Sequence, residues 1–127
     1  MPTAPIIHFP TEEESKAALA AFIAGQQAIR AERRDAIQAA VPALERLIAT
    51  FAHRTGQSYK LRALLYSMWN GQATEINEVL ALDWSLRKDF AAVLLAFGDG
   101  FFYEEMKSAI VAAGQFDWFL EAHQPAK

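Results

Sequence analysis

The stretch LRALLYSMWNGQATEINEVLALD, from Leu61 to Asp83, constrains the chain more than any other. Leu61, Leu64, Leu65 and Met68 recur at i, i+3, i+4 and i+7, the spacing that aligns one face of an α-helix. Trp69 widens that face, while Arg62 and Tyr66 fall off it. Burying each large apolar side chain stabilises by about 1.5–3 kcal/mol, so this helix is predicted to be a main core element. Asn70-Gly71 supplies its stop, because Gly takes the left-handed C′ conformation without steric cost. Thr74 is the expected N-cap of a short second helix. Glu75 and Glu78 stand in its first turn, where carboxylates suit the helix dipole. Ile76, Val79, Leu80 and Leu82 form its apolar side, and Asp83 is placed to cap the next helix.

The other apolar segments read as helices built to pack around this one. Met1 to Pro10 holds three prolines and reads as an extended arm. Its Ile6, Ile7 and Phe9 are too apolar for a free tail, so the arm is expected to lie on the domain or on a neighbouring chain. Thr11 and Glu14 have the spacing of a capping box, with Glu12 and Glu13 between them. The helix that follows turns Leu19, Phe22 and Ile23 inward. After Gly25 the stripe thins to GQQAIRAERRD, which either continues as exposed helix or breaks near Arg33. Asp35 and Gln38 read as a second cap pair. Pro42 then forces a kink or a restart, because an interior proline removes a hydrogen bond and clashes with the carbonyl four residues back.

Ala43 to His53 is the next expected helix, with Leu44, Leu47, Ile48 and Phe51 inward. Arg54 to Gln57 is a loop and Ser58 the cap of the central helix. Trp84 to Phe97 carries Leu86, Phe90, Val93, Leu94 and Phe97 on a wide apolar face, and Gly98-Asp99-Gly100 ends it. Phe101 to Ala113 turns Phe102, Met106, Ala109 and Ile110 inward. In the last turns, to Ala122, Phe116, Phe119 and Leu120 face the core and Trp118 is expected half exposed. The expected fold is therefore all-α: a compact orthogonal bundle of five or six helices, one domain over residues 11–127, preceded by the arm at 1–10.

A chain of 127 residues suits one domain and can bury a core without disulfides or metal. It has no cysteine, which excludes disulfides, thiol catalysis and cysteine-type zinc sites. That composition fits a cytoplasmic protein. The first ten residues lack the basic start and apolar run of a signal peptide. No segment reaches the roughly 18 uninterrupted apolar residues of a membrane span, so no membrane partner is expected.

Chemistry-bearing motifs are sparse. His8, His53 and His123 stand apart, outside any HExxH spacing. Ser15, Ser58, Ser67, Ser85 and Ser108 lack a GxSxG context. Asp99 between two glycines offers one carboxylate, not the spaced oxygen ligands of a calcium loop. Glu104-Glu105 would act as acid and base only with a partner group supplied by the fold. No catalytic residue, cofactor site or metal site is assigned. Tyr66, Trp69 and Trp84 could form an aromatic platform, but their helical spacing among leucines favours core packing.

Charge is unevenly spread. From Arg30 to Arg62 seven basic residues face three acidic ones, and from Glu75 to Glu121 nine acidic face three basic. A polarised molecule associates head to tail or meets a charged partner. Arg30, Arg33, Arg34, Arg54, Lys60 and Arg62 form the candidate interaction surface. The net charge of −3 argues against broad nucleic-acid binding, and no aromatics interleave with the arginines as single-strand binding prefers. A nucleic-acid-associated regulator using residues 30–62 stays as the alternative, and a small-molecule enzyme or sensor as a third reading.

An apolar helix ending in Trp69-Asn70-Gly71, a Leu82-Asp83 step, and a second apolar helix ending in Gly98 give the Leu61–Phe102 segment a resemblance. It resembles small uncharacterised helical proteins of proteobacterial genomes, often associated with plasmids, prophages and integrated elements. That resemblance covers about a third of the chain and carries no activity. The expectation is a small non-enzymatic interaction module with a protein partner or a second copy, a homodimer included.

Overall fold

In the computed structural model, residues 9–98 and 103–123 are described. They contain six α-helices and no β-strand: α1 (Glu12–Phe51), α2 (Gly56–Asn70), α3 (Ile76–Leu80), α4 (Trp84–Ala96), α5 (Tyr103–Ala112) and α6 (Phe116–Leu120). A 3-10 turn, Glu121–His123, follows α6. The fold is all-α, as the periodicity predicts. The arm at residues 1–8, the Asp99-Gly100 turn and Phe102 lie outside the described residues.

The chain divides into two compact units, Met1–Glu32 and Arg33–Lys127. In the first, the described structure is the N-terminal part of α1. Its start is the expected one: the Glu14 N–H donates to Thr11 Oγ1 at 3.1 Å, and Glu12, Glu13 and Glu14 fill the first turn. The inward placement of Leu19, Phe22 and Ile23 is overturned. They are 59%, 64% and 47% exposed, and Ile29 is 43% exposed. The spacing makes one apolar face, but no second described element of this unit covers it.

The break near Arg33 and the restart at Pro42 do not occur: α1 runs through both without interruption. Forty residues of Ala-rich sequence favour helix strongly enough to outweigh one proline. The Asp35 and Gln38 pair accordingly sits inside a helix rather than at its start.

The second unit holds the core. Leu44, Leu47, Ile48 and Phe51 from α1 meet Leu61, Leu64 and Leu65 from α2. Leu86, Phe90, Val93 and Ala96 of α4, Met106 and Ile110 of α5, and Phe119 of α6 complete it. Met68 and Trp69 are partly buried against this cluster. Gly71 ends α2 at φ 71°, its N–H donating to the Ser67 carbonyl, the left-handed stop that Asn70-Gly71 implies.

Several local expectations are corrected. Thr55, not Ser58, is the N-cap of α2. Ser58 sits at the third helical position, fully buried, where its Oγ accepts the Thr55 N–H at 3.0 Å and donates to the Thr50 carbonyl at 2.8 Å. Glu75, not Thr74, caps α3, and Asp83 caps α4 without a side-chain bond. Tyr66 is buried, because α6 packs on its flank and brings Phe119 within 5.5 Å. Leu94 is 52% exposed, and Ile76 and Leu80 are exposed with it. The face of α4 that the core accepts is narrower than its apolar sequence.

Candidate functional site

Three features of the surface bear on function: an arginine–aromatic layer, an apolar groove, and the uncovered face of α1.

The layer centres on Trp118. It is 6% exposed rather than half exposed. The Phe51 ring stacks on it at 5.5 Å and Tyr59 meets it edge-on at 5.5 Å. The guanidinium of Arg62 lies 4.4 Å from its ring centre and that of Arg54 5.1 Å. Arg62 also donates to the Trp118 carbonyl at 3.2 Å and pairs with Glu121 at 3.8 Å. Planar guanidinium groups stack on aromatic faces while keeping their charge, so two cations cover what the helices leave open. Local spacing could not show this, because Arg62 and Trp118 stand 56 residues apart.

The candidate basic residues therefore fall into different settings. Arg62 and Arg54 belong to the Trp118 layer. Lys60 pairs with Glu78 at 3.4 Å. Arg30, Arg33 and Arg34 are exposed on α1. Arg30 and Arg34 make no ion pair among the described residues. Tyr66, Trp69 and Trp84 do not form one platform. Tyr66 and Trp69 are in contact at 5.9 Å, and Trp69 stacks on Tyr103 at 4.3 Å while its indole N–H donates to the Tyr103 carbonyl at 3.1 Å. Trp84 is 70% exposed beneath Arg87.

The groove lies in the second unit between α1 and α5. It encloses about 510 Å³ over Ile37, Val41, Leu44 and Ala109, with Glu45, Glu104 and Glu105 along its rim. Glu45 and Ala109 are shared with a second hollow of about 490 Å³ that continues along the same two helices past Ile48 to Ala52 and Ala113. The floor is apolar and the rim acidic. Spacing alone did not find it, since it needs α1 and α5 side by side.

Among the described residues, no group of three His, Asp or Glu could hold a metal ion. Among the described residues the Arg46 guanidinium is held above its ordinary value, first by its hydrogen bonds to Asp89. That pair joins α1 to α4. No helix among the described residues is long and apolar enough to cross a membrane.

No curated protein and no solved structure matches the chain. The profile of a family of unknown function matches residues 41–113, from the groove residue Val41 through α5 and across the whole Leu61–Phe102 segment. That span is more than half of the 127 residues, and the chain belongs to this family, DUF7673.

Proposed function

We propose that the protein is a non-enzymatic interaction module that acts by self-association, as a homodimer. The carrying observation is the uncovered face of α1, where Leu19, Phe22, Ile23 and Ile29 are 43–64% exposed. They recur at helical spacing over some 15 Å of helix. Contiguous exposed apolar surface of this kind marks interaction sites, and an amphipathic helix laid against a partner is a common mode of docking. The resemblance of residues 61–102 to helical proteins of plasmids and prophages supports a mobile-element origin for the gene.

The test is sedimentation of the full chain against a variant carrying Phe22→Glu and Ile23→Glu. The wild type should sediment at twice the chain mass at micromolar concentration, and the variant at the chain mass with its helical circular dichroism retained. A wild-type chain that stays monomeric would rule the homodimer out.

The nucleic-acid reading draws its support from Arg30 and Arg34, since Lys60 and Arg62 are engaged by Glu78 and Glu121. It predicts binding to a DNA duplex that weakens steeply with salt. Absence of binding at low ionic strength removes it.

A further inference from the structure

We propose that the groove between α1 and α5 of one copy receives the Leu19–Ile29 stripe of a second copy, with Arg30 and Arg34 reaching the rim carboxylates Glu45 and Glu104. This rests on the self-association reading and names the surface that the stripe meets.

Two observations select this occupant. The first is shape. The stripe from Leu19 to Ile29 runs about 15 Å along its helix axis. The groove and its continuing hollow follow α1 from Ile37 to Ala52, about 22 Å at the same rise per residue. The groove floor is apolar, and the stripe presents Leu19, Phe22 and Ile23 with Ile29 beyond Gln26 on the same face, so contact removes four large side chains from water on one side and Val41, itself 44% exposed, on the other.

The second is charge. The stripe is followed at once by Arg30, Arg33 and Arg34, and the groove is rimmed by Glu45, Glu104 and Glu105. Arg30, Arg34, Glu45 and Glu104 make no ion pair among the described residues and are exposed. Opposite charges across an interface fix register and speed encounter. Two stripes paired in parallel would instead set Arg30 and Arg34 of one copy beside those of the other, a like-charge contact that disfavours it. An exchange of stripes in both directions closes a two-fold dimer.

The experiment uses the full chain with three variants: Phe22→Glu in the stripe, Val41→Glu in the groove, and a chain starting at Thr11. Phe22 and Val41 are exposed, and circular dichroism melting checks that each variant is folded. Dimer dissociation is read by sedimentation. Phe22→Glu and Val41→Glu should each weaken the dimer by about thirty-fold or more, as for a central interface residue. Mixing the two variants in equal amounts should recover a dimer weaker than the wild type but tighter than either variant alone, because one of the two stripe–groove contacts is intact in each mixed pair and the other carries both lesions. Raising salt should weaken the wild-type dimer.

If Val41→Glu leaves the dimer unchanged while Phe22→Glu breaks it, stripes pair with each other; the groove assignment is overturned and the self-association reading survives. If neither variant matters and the chain starting at Thr11 is monomeric, the arm is the occupant and the proposal is overturned. A monomeric wild type overturns both.

Discussion

The carboxylate of Asp89, buried on α4, receives two hydrogen bonds from the guanidinium of Arg46 on α1: Nε to Oδ2 at 3.0 Å and Nη2 to Oδ1 at 2.8 Å. The fork of arginine matches a carboxylate in this two-point geometry. Asp89 is 8% exposed, so its charge is held where water reaches it poorly. The hydrogen bonds to Asp89 raise the Arg46 pKa against the opposing effect of desolvation, and an arginine stays charged at any working pH. Removing Arg46 alone strands a buried carboxylate, whereas replacing both partners by apolar residues does not. Arg46→Met should therefore lower the denaturant midpoint more than the double variant Arg46→Met with Asp89→Leu. Equal midpoints would show that Asp89 is solvated well enough without its partner.

Ser58 ties the start of α2 to the end of α1 through the Thr50 carbonyl and the Thr55 N–H. Ser58→Ala removes the acceptor of the Thr55 N–H from a side chain that is itself fully buried, beside a part-buried hydrogen bond. An unsatisfied buried polar group costs about 1–3 kcal/mol, and urea unfolding should register a loss of that size. A loss below 0.5 kcal/mol, the scale of ordinary surface substitutions, would mean that water replaces the hydroxyl.

Arg62 covers Trp118 and Tyr59 with a flat cation and donates to a carbonyl of α6. Lysine keeps the charge but not the plane or the fork. Arg62→Lys should destabilise by about 1–2 kcal/mol, the range of a desolvated cation–π contact, and shift the tryptophan emission to the red as Trp118 gains water. Unchanged emission would place the cover of Trp118 elsewhere.

Pro42 stands exposed inside α1, where it leaves the Gln38 carbonyl without its helical donor. An interior proline costs about 3 kcal/mol, of which about 0.4–1 kcal/mol is returned through a stiffer unfolded chain. Pro42→Ala should thus stabilise by about 2 kcal/mol in thermal or urea unfolding, with no change in core packing. A neutral result would mean that the helix has already relaxed around the ring.

The helices themselves were legible because their causes are local. The leucines of α2 recur every three or four residues, Thr11 stands three residues before Glu14, and Gly71 follows the last turn it ends. Periodicity also separates an apolar face from a polar one, so Leu44, Leu47 and Phe51 were placed in the core from spacing alone. What spacing lacks is the identity of whatever covers a face. Leu19, Phe22 and Ile23 have the same pattern as Leu44, Leu47 and Ile48, yet the first set is exposed and the second buried.

The sequence by itself determined the all-α class, the stop at Gly71, and the first cap at Thr11, since each depends on residues within one or two helical turns. Only the tertiary structure decided that Tyr66 and Trp118 are buried, that Arg62 belongs to an aromatic layer, and that Val41 and Ala109 share a groove with an acidic rim. Those outcomes depend on which helices meet, and that is set by the packing of side chains distant in sequence, where no local propensity acts.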